Sequence, residues 1–314
     1  MLKFVLKISA TLALCAALYV AADWRSVGRQ LADVDGRLLA VAIGLFVPQT
    51  LIAGWRWRRM VRPYASLGLL EASGQILGGS SANLVLPSRL GDFSKAAMIR
   101  GIDGRARKKI AGLVVVEKVC DVFVVFSAVV LGMLGQAAAI AVFALAAVAC
   151  LATYLPDSRR MTPKLRSRLV LVGGSIVLWT FHLAQLHLFV LCCGVDVAWT
   201  TSLERIPVAL IAGLLPAAFC GIGTRDAALV FLYADVAPTA QMAAVGALTA
   251  LRYFIPGAAG IPFWWMSRGN RKAGTDDQSV ENARVLNENQ CVPSAPHLDA
   301  RNAEAALKSV YRIE

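Results

Sequence analysis

The sequence predicts an all-α, polytopic membrane protein with about six full spans and two re-entrant hairpins in an inverted repeat. Three observations predict it. Of 314 residues, 57% are hydrophobic and only 17% charged, with a mean hydropathy of +0.61, whereas soluble domains are about a quarter charged. Several apolar runs approach or exceed the roughly 20 residues that cross about 30 Å of hydrocarbon as a helix. Lipid offers the backbone no hydrogen-bond partners, so such runs fold as helices, and they are too long and too weakly alternating for a β-barrel. Finally, the charge is placed as in a membrane protein. The tail 268–314 holds seven Lys/Arg and seven Asp/Glu, so the net charge of +12 resides in the membrane part, with 25 bases against 13 acids. Those bases fill short loops between apolar runs. They are topology signals and lipid-headgroup contacts, so no nucleic-acid partner is expected.

The first run, Leu2 to Ala22, reads as an uncleaved span. A cleaved signal peptide is the rival, because Val20-Ala21-Ala22 is loosely cleavage-like, but the run is long and another span follows. The second run is Leu38 to Trp55. After it come Arg56, Arg58, Arg59 and Arg62 with no acid, whereas 23–37 balances three acids with three bases. The N-terminus and 56–62 are therefore expected in the cytoplasm, and 23–37 outside.

Leu67 to Pro87 is apolar but broken by Glu71, Gln75, Asn83 and several Gly and Ser residues, and 95–109 holds six bases against Asp103. Both flanks of 67–94 favour the cytoplasm, which a re-entrant hairpin satisfies and a crossing does not. Ile110 to Leu134 then runs outward and Ala137 to Tyr154 returns. The loop 155–168 has five bases against Asp157, and Leu169 to Cys193 runs outward again. Ile206–Phe219 and Ala227–Ala234 meet at Gly221-Ile222-Gly223 and form a second hairpin, entering from outside. One long final span, Gln241 to Met266, is expected to be interrupted at Pro256. The membrane domain is thus 1–267, and 268–314 is a polar, disordered cytoplasmic tail.

Charge inside a bilayer costs about 2.5–3.5 kcal/mol per group on insertion scales and calls for a reason. Glu117 and Asp121, four residues apart, share a helical face and need a cation; Arg89, Arg225 and Arg252 are the candidates. The alternative is a set of internal ion pairs that lock helices together. Pro87-Ser88-Arg89-Leu90-Gly91-Asp92 and Gly221-Ile222-Gly223-Thr224-Arg225-Asp226 each place an Arg and an Asp beside a helix break, where free N–H groups and a guanidinium suit a phosphate. Gly-x-Gly without a strand excludes a Rossmann or P-loop reading. The seven cysteines show no CxxC spacing, and His182 and His187 have no third ligand, so no metal or cofactor is expected. Trp55, Trp57, Trp264 and Trp265 lie at span ends beside bases, as interfacial anchors do. No catalytic Ser/His/Asp constellation stands out.

At these motifs the chain resembles the lysylphosphatidylglycerol synthase transmembrane-region family, the flippase-like integral membrane proteins. The resemblance rests on Asn83-Leu84-Val85-Leu86-Pro87-Ser88-Arg89-Leu90-Gly91-Asp92, on Val116-Glu117-Lys118-Val119-Cys120-Asp121, and on Leu215-Pro216 with Gly221 to Ala228. It covers about residues 5–265. Lys118, Asp226 and Ser88 stand where the family has Arg, Glu and Gly, and Lys118 lacks the fork with which Arg holds phosphate. The chain has neither the aminoacyl-transfer nor the glycosyltransferase domain of longer relatives. The resemblance implies the membrane module alone, and the distribution of bases is that of a bacterial inner-membrane protein with both termini cytoplasmic.

The expected function is binding and translocation of an anionic or modified lipid between leaflets. Its site would comprise Asn83, Pro87, Arg89, Gly91, Asp92, Glu117, Asp121, Gly221, Gly223, Arg225, Asp226 and Arg252. The alternatives are a membrane-embedded transferase with Glu117 or Asp121 as general base, and a scaffold that recruits a separate lipid-modifying enzyme.

Overall fold

A computed structural model describes residues 9, 23–99, 101–134, 141, 163–213 and 223–290. Apart from residues 9 and 141, the expected spans Leu2 to Ala22 and Ala137 to Tyr154 lie outside the described residues, as does Gly221. The chain divides into two units, Met1–Trp265 and Met266–Glu314. The account below concerns the first.

Among the described residues all regular structure is helical. Helix α1 (Trp24–Ala32) is capped by Asp23, and α2 (Gly36–Gly44) by Asp35, whose carboxylate accepts from the N–H groups of Arg37 and Leu38. Pro48 has no N–H to return to Gly44, and there α2 gives way to α3 (Phe46–Val61). Helix α4 (Leu69–Val85) starts where Glu71 accepts from the Gly68 N–H and stops before Pro87. A 3-10 segment, Pro87–Phe93, and the short α5 (Ser94–Met98) follow. Helix α6 covers Gly104–Leu134, α7 Pro163–Cys192, α8 Trp199–Ala212, α9 Thr224–Leu232 and α10 Thr239–Gln290.

Among the described residues three helical stretches are long and apolar enough to cross a membrane: Gly36–Val61, Arg168–Cys192 and Thr239–Trp265, with mean hydropathies of 1.8, 1.7 and 1.3. Helix α6 matches them in length at 31 residues but carries Glu117, Lys118 and Asp121 in its middle. The second span does not end at Trp55 as expected; helix continues to Val61 and takes Arg56 inside with it. Nor is the last span interrupted at Pro256. The helix runs through Pro256 and Pro262, and Ser81 of α4 donates to the Gly257 carbonyl at 2.5 Å beside the first of them. Neighbouring side chains of this kind let a membrane helix carry proline.

Between the long helices the chain doubles back twice. In the first hairpin, α5 and the 3-10 segment return along α4, with Gly91 against Asn83, Lys95 against Gly79 and Met98 against Gly78. A Cβ on Gly91 would sit inside van der Waals distance of the Asn83 backbone nitrogen, so only glycine permits this approach. In the second hairpin α9 returns along α8. Arg225 lies against Gly213, Tyr233 donates to Ser202 at 3.2 Å, and Arg205 grips Asp235 at 2.6 and 2.8 Å. That hydrogen-bonded guanidinium holds the exposed Asp235 carboxyl below its ordinary range, so the pair is intact at neutral pH.

The cores show how the hairpins are arranged. The base of the first hairpin (Leu67, Ala72, Ile99) packs with Trp57, Val61, Ile110 and Val114. The base of the second (Leu203, Ile206, Tyr233) packs with Leu186, Phe189 and Val190 of α7, Met242 of α10 and Ala128 of α6. Helix α6 therefore joins one core to the other. From Ile110, in the first core, to Gly132, against Glu204, it rises about 33 Å at 1.5 Å per residue. The two hairpins start near opposite ends of this helix, and the charges at 117–121 fall between the two cores.

Candidate functional site

Arg56 is the centre of the buried charge. The face of α3 that carries it also buries Gln49, Ala53 and Met60, spaced four, three and four residues apart. Its Nη2 donates to Glu117 Oε1 at 2.6 Å and to Asp121 Oδ2 at 3.2 Å, and its Nη1 to Asp121 Oδ1 at 2.6 Å. Nη1 also donates to the Ser175 hydroxyl of α7. Lys95, returning on α5, reaches Glu117 Oε2 at 2.7 Å. Its ammonium stands 4.6 Å from the centre of the Trp57 ring, and the Trp57 indole N–H donates to Gln75 at 2.8 Å.

The shared face of Glu117 and Asp121 is thus real, but the cations that meet it are Arg56 and Lys95, not the expected arginines. The basic runs 56–62 and 95–109 predict cytoplasmic loops for both, and the structure buries both. Trp57 is likewise no interfacial anchor: it is fully buried. Arg56 and Trp57 share one physical reason. Once the helix runs on to Val61, a residue at 56 or 57 faces whatever its helical phase dictates, and here that is the interior.

A second pair lies closer to the surface. Lys118 bonds Asp92 Oδ2 at 2.8 Å, and the Asn83 amide donates to Asp92 Oδ1 at 3.1 Å. Lys118 retains 40% of its side-chain exposure, against 14% for Asp92. The third group belongs to the second hairpin. Gly223 has φ +94°, a conformation open to glycine, and turns the chain into α9. Asp226 accepts from the Gly223 N–H at 3.1 Å and from Arg225 Nη2 at 2.6 Å. Gly246 of α10 leaves room for that carboxylate, since a Cβ there would meet the Asp226 Cβ at 2.9 Å. Arg225 also lies over the Tyr253 ring.

These groups surround one cavity of about 510 Å³. The first hairpin contributes Asn83, Leu84, Asp92 and Phe93, and the second contributes Leu210, Gly213 and Arg225. Arg56, Glu117, Lys118 and Asp121 form one wall; Arg252, Tyr253 and Pro256 of α10 form another. Gln49, Thr50, Ser80, Trp179 and His182 complete the polar lining, and Phe46, Leu77, Val119, Val122 and Leu178 are among its apolar residues. The volume lies within the roughly 300–1,000 Å³ usual for small-molecule sites.

Of the twelve expected residues, Asn83, Asp92, Glu117, Asp121, Arg225 and Arg252 line this cavity. Gly91, Gly223 and Asp226 do not line it; Gly91 packs on Asn83, and Asp226 binds Arg225 and the Gly223 N–H. Pro87 and Arg89 belong to the 3-10 segment, but their side chains lie outside the described residues. Sequence reasoning missed Arg56, Lys95 and Lys118 as site residues. For Arg56 the signal was the Gln49, Ala53, Arg56, Met60 periodicity; for Lys95 it was a lone base beside Ala96-Ala97-Met98.

The match to known proteins agrees with this layout. A family model described as lysylphosphatidylglycerol synthase TM region matches residues 4–260. The chain belongs to that family. No curated protein and no solved structure matches it. Membership makes the chain a membrane protein of lipid-related processes, and the matched residues take in both hairpins and the whole cavity lining.

Proposed function

We propose that this family member binds the headgroup of an anionic or modified lipid between its hairpin tips and passes that lipid between leaflets. The observation that carries the reading is a cavity lined by both hairpins and walled by buried charge. Ionisable residues inside a membrane are costly and mark substrate paths. Here they number five cations (Arg56, Lys95, Lys118, Arg225, Arg252) and four anions (Asp92, Glu117, Asp121, Asp226), an excess of one positive charge. The hairpin bases lie near opposite ends of α6, about 33 Å apart, close to the thickness of bilayer hydrocarbon. Broken helices that meet near the midplane from opposite faces would hold a headgroup equally far from both leaflets. The apolar lining suits the acyl end of the same ligand.

The transferase alternative needs a carboxylate free to act as base. Both oxygens of Glu117 and of Asp121 instead accept from Arg56 or Lys95. Reconstitution with labelled lipids tests the proposal. Wild-type protein should exchange labelled lipid between leaflets, and Arg89→Ala and Arg225→Ala should exchange it more slowly while melting as folded proteins. Absence of exchange in the wild type, or folded variants that match it, refutes the proposal.

A further inference from the structure

We propose that the base of the second hairpin is fastened to α7 by a hydrogen-bond chain that closes with His187 neutral and opens when His187 takes a proton. This fastening is independent of what the cavity holds, so it goes beyond the lipid reading above.

The chain joins three helices. The Tyr233 hydroxyl, at the end of α9, donates to the Ser202 hydroxyl of α8 at 3.2 Å, and Ser202 Oγ stands 2.8 Å from Nδ1 of His187 on α7. Tyr233 is 0% and Ser202 1% exposed, and neither hydroxyl has a further hydrogen-bond partner among the described residues. With Tyr233 donating, Ser202 gives its own proton to Nδ1, so the ring is a neutral imidazole that accepts there. Every proton of the chain is then used. Trp199, whose ring stands nearly perpendicular to the imidazole at 5.2 Å, keeps its aromatic contact in either protonation state.

An imidazolium breaks this order, because its Nδ1–H must donate to Ser202. If Tyr233 keeps its bond, the Ser202 proton has no acceptor. If Ser202 turns its proton to Tyr233 instead, the Tyr233 proton has none. In both cases one donor is left unmade inside the second core.

The added charge also lacks a counterion. On α8, Glu204 is exposed and Arg205 is already paired with Asp235 at 2.6 and 2.8 Å, its guanidinium 5.2 Å from the centre of the Tyr233 ring. Asp196, in the loop before α8, is exposed, and Asp35 caps α2. The ionisable neighbours on α7 itself are His182, Cys192 and Cys193. Glu117 and Asp121 of α6 meet α7 at Ser175 through Arg56 of α3, about 18 Å along the helix from His187. Helix α10 packs on this core through Met242 to Val245, and Arg252 and Tyr253 lie beyond. No carboxylate is paired with His187 among the described residues, and Arg205 adds positive charge on the Tyr233 side.

Water can deliver the proton. His187 is half-buried and lies about 7.5 Å along α7 from its end at Cys192. Once the chain opens, Arg205 and Asp235 still hold α8 to the segment beyond α9, so the hairpin loosens from α7 as a unit. The sign follows: acid weakens the fastening and neutral pH restores it.

The test is hydrogen exchange of the full-length protein in phosphatidylcholine nanodiscs, where both faces meet the buffer. Amide protection of residues 224–237 is compared at about pH 7.5 and about pH 5, the range across which an imidazole takes its proton, after correction for the intrinsic pH dependence of exchange. Wild-type protection should fall about tenfold on acidification, the effect of one lost buried hydrogen bond, while α3 changes little. His187→Gln keeps an acceptor for Ser202 and does not titrate; it should stay protected at both pH values. Ser202→Ala has no chain to open, so it should be less protected already at neutral pH and lose little more. His182→Gln removes the other histidine of α7 and should respond as the wild type does. Wild-type protection that is the same at both pH values overturns the proposal. So does a His187→Gln variant that still loses protection in acid, or a His182→Gln variant that no longer does. If His187→Gln does not fold, a pH response in Ser202→Ala as large as that of the wild type overturns it equally.

Discussion

Arg56 and Glu117, 61 residues apart in sequence, meet at 2.6 Å with side chains 1% and 2% exposed. This contact ties the second span to α6, and through Lys95 it ties the first hairpin to both. Breaking a buried pair by removing one partner costs about 3–5 kcal/mol, because the other charge stays behind without compensation. Arg56→Gln should therefore lower the melting temperature of the purified protein sharply. Asp121→Asn should cost less, since Arg56 keeps Glu117. Arg56→Gln melting with the wild type would show that the network contributes nothing.

The outer pair should behave differently. Lys118 is 40% exposed, and ion pairs that water reaches contribute about 1 kcal/mol or less. Lys118→Met is expected to melt close to the wild type in the same assay. A loss as large as that of Arg56→Gln would mean that Lys118 is as deeply engaged as the inner cations.

The hairpins depend on close backbone approach. A Cβ at Gly91 would collide with the Asn83 backbone, and one at Gly260 with the Leu77 carbonyl across the α4–α10 contact. Overpacking of this kind costs typically about 1–3 kcal/mol. Gly91→Ala and Gly260→Ala should both destabilise, whereas Gly104→Ala, where nothing lies within 4 Å, should not. Comparison of the three melting curves checks this.

The division between what the sequence revealed and what it hid has a physical pattern. Apolar runs marked the helix near 168–192 and the final helix to within a few residues, and the second span except for its end, which lies at Val61 instead of Trp55, because hydropathy reports membrane burial directly. The breaks that end α4 and precede α9 were legible from Pro87 and from Gly223, where the backbone cannot continue a helix. Asp92, Glu117, Asp121 and Arg225 stood out as charges within apolar surroundings. Arg56 did not, because it sits among other bases at a span end, where a loop charge and an inward charge have the same composition, and Lys95 did not, because it opens the basic segment 95–109. Only helical phase separates them. Which cation meets which carboxylate was hidden for another reason: pairing across 22 to 65 residues is a property of packing.

Sidedness can be read directly from labelling. Arg105→Cys, near the base of the first hairpin, and Val236→Cys, beside the base of the second, are both exposed positions. In intact cells an impermeant thiol reagent should reach Val236→Cys and not Arg105→Cys, and in inverted vesicles the reverse. Labelling of both from the same side contradicts opposed hairpins.

The central claim is that one lipid headgroup occupies the cavity between the two tips, and photo-crosslinking tests it most directly. A photoreactive residue is placed at Leu84 in the first hairpin, at Leu210 in the second, and at Val47, which is 64% exposed, as a control. With phosphatidylglycerol radiolabelled in its headgroup, adducts are expected from Leu84 and from Leu210 but not from Val47, and excess unlabelled phosphatidylglycerol should suppress both. Headgroup adducts at Val47 alone, or at none of the three, would contradict the account.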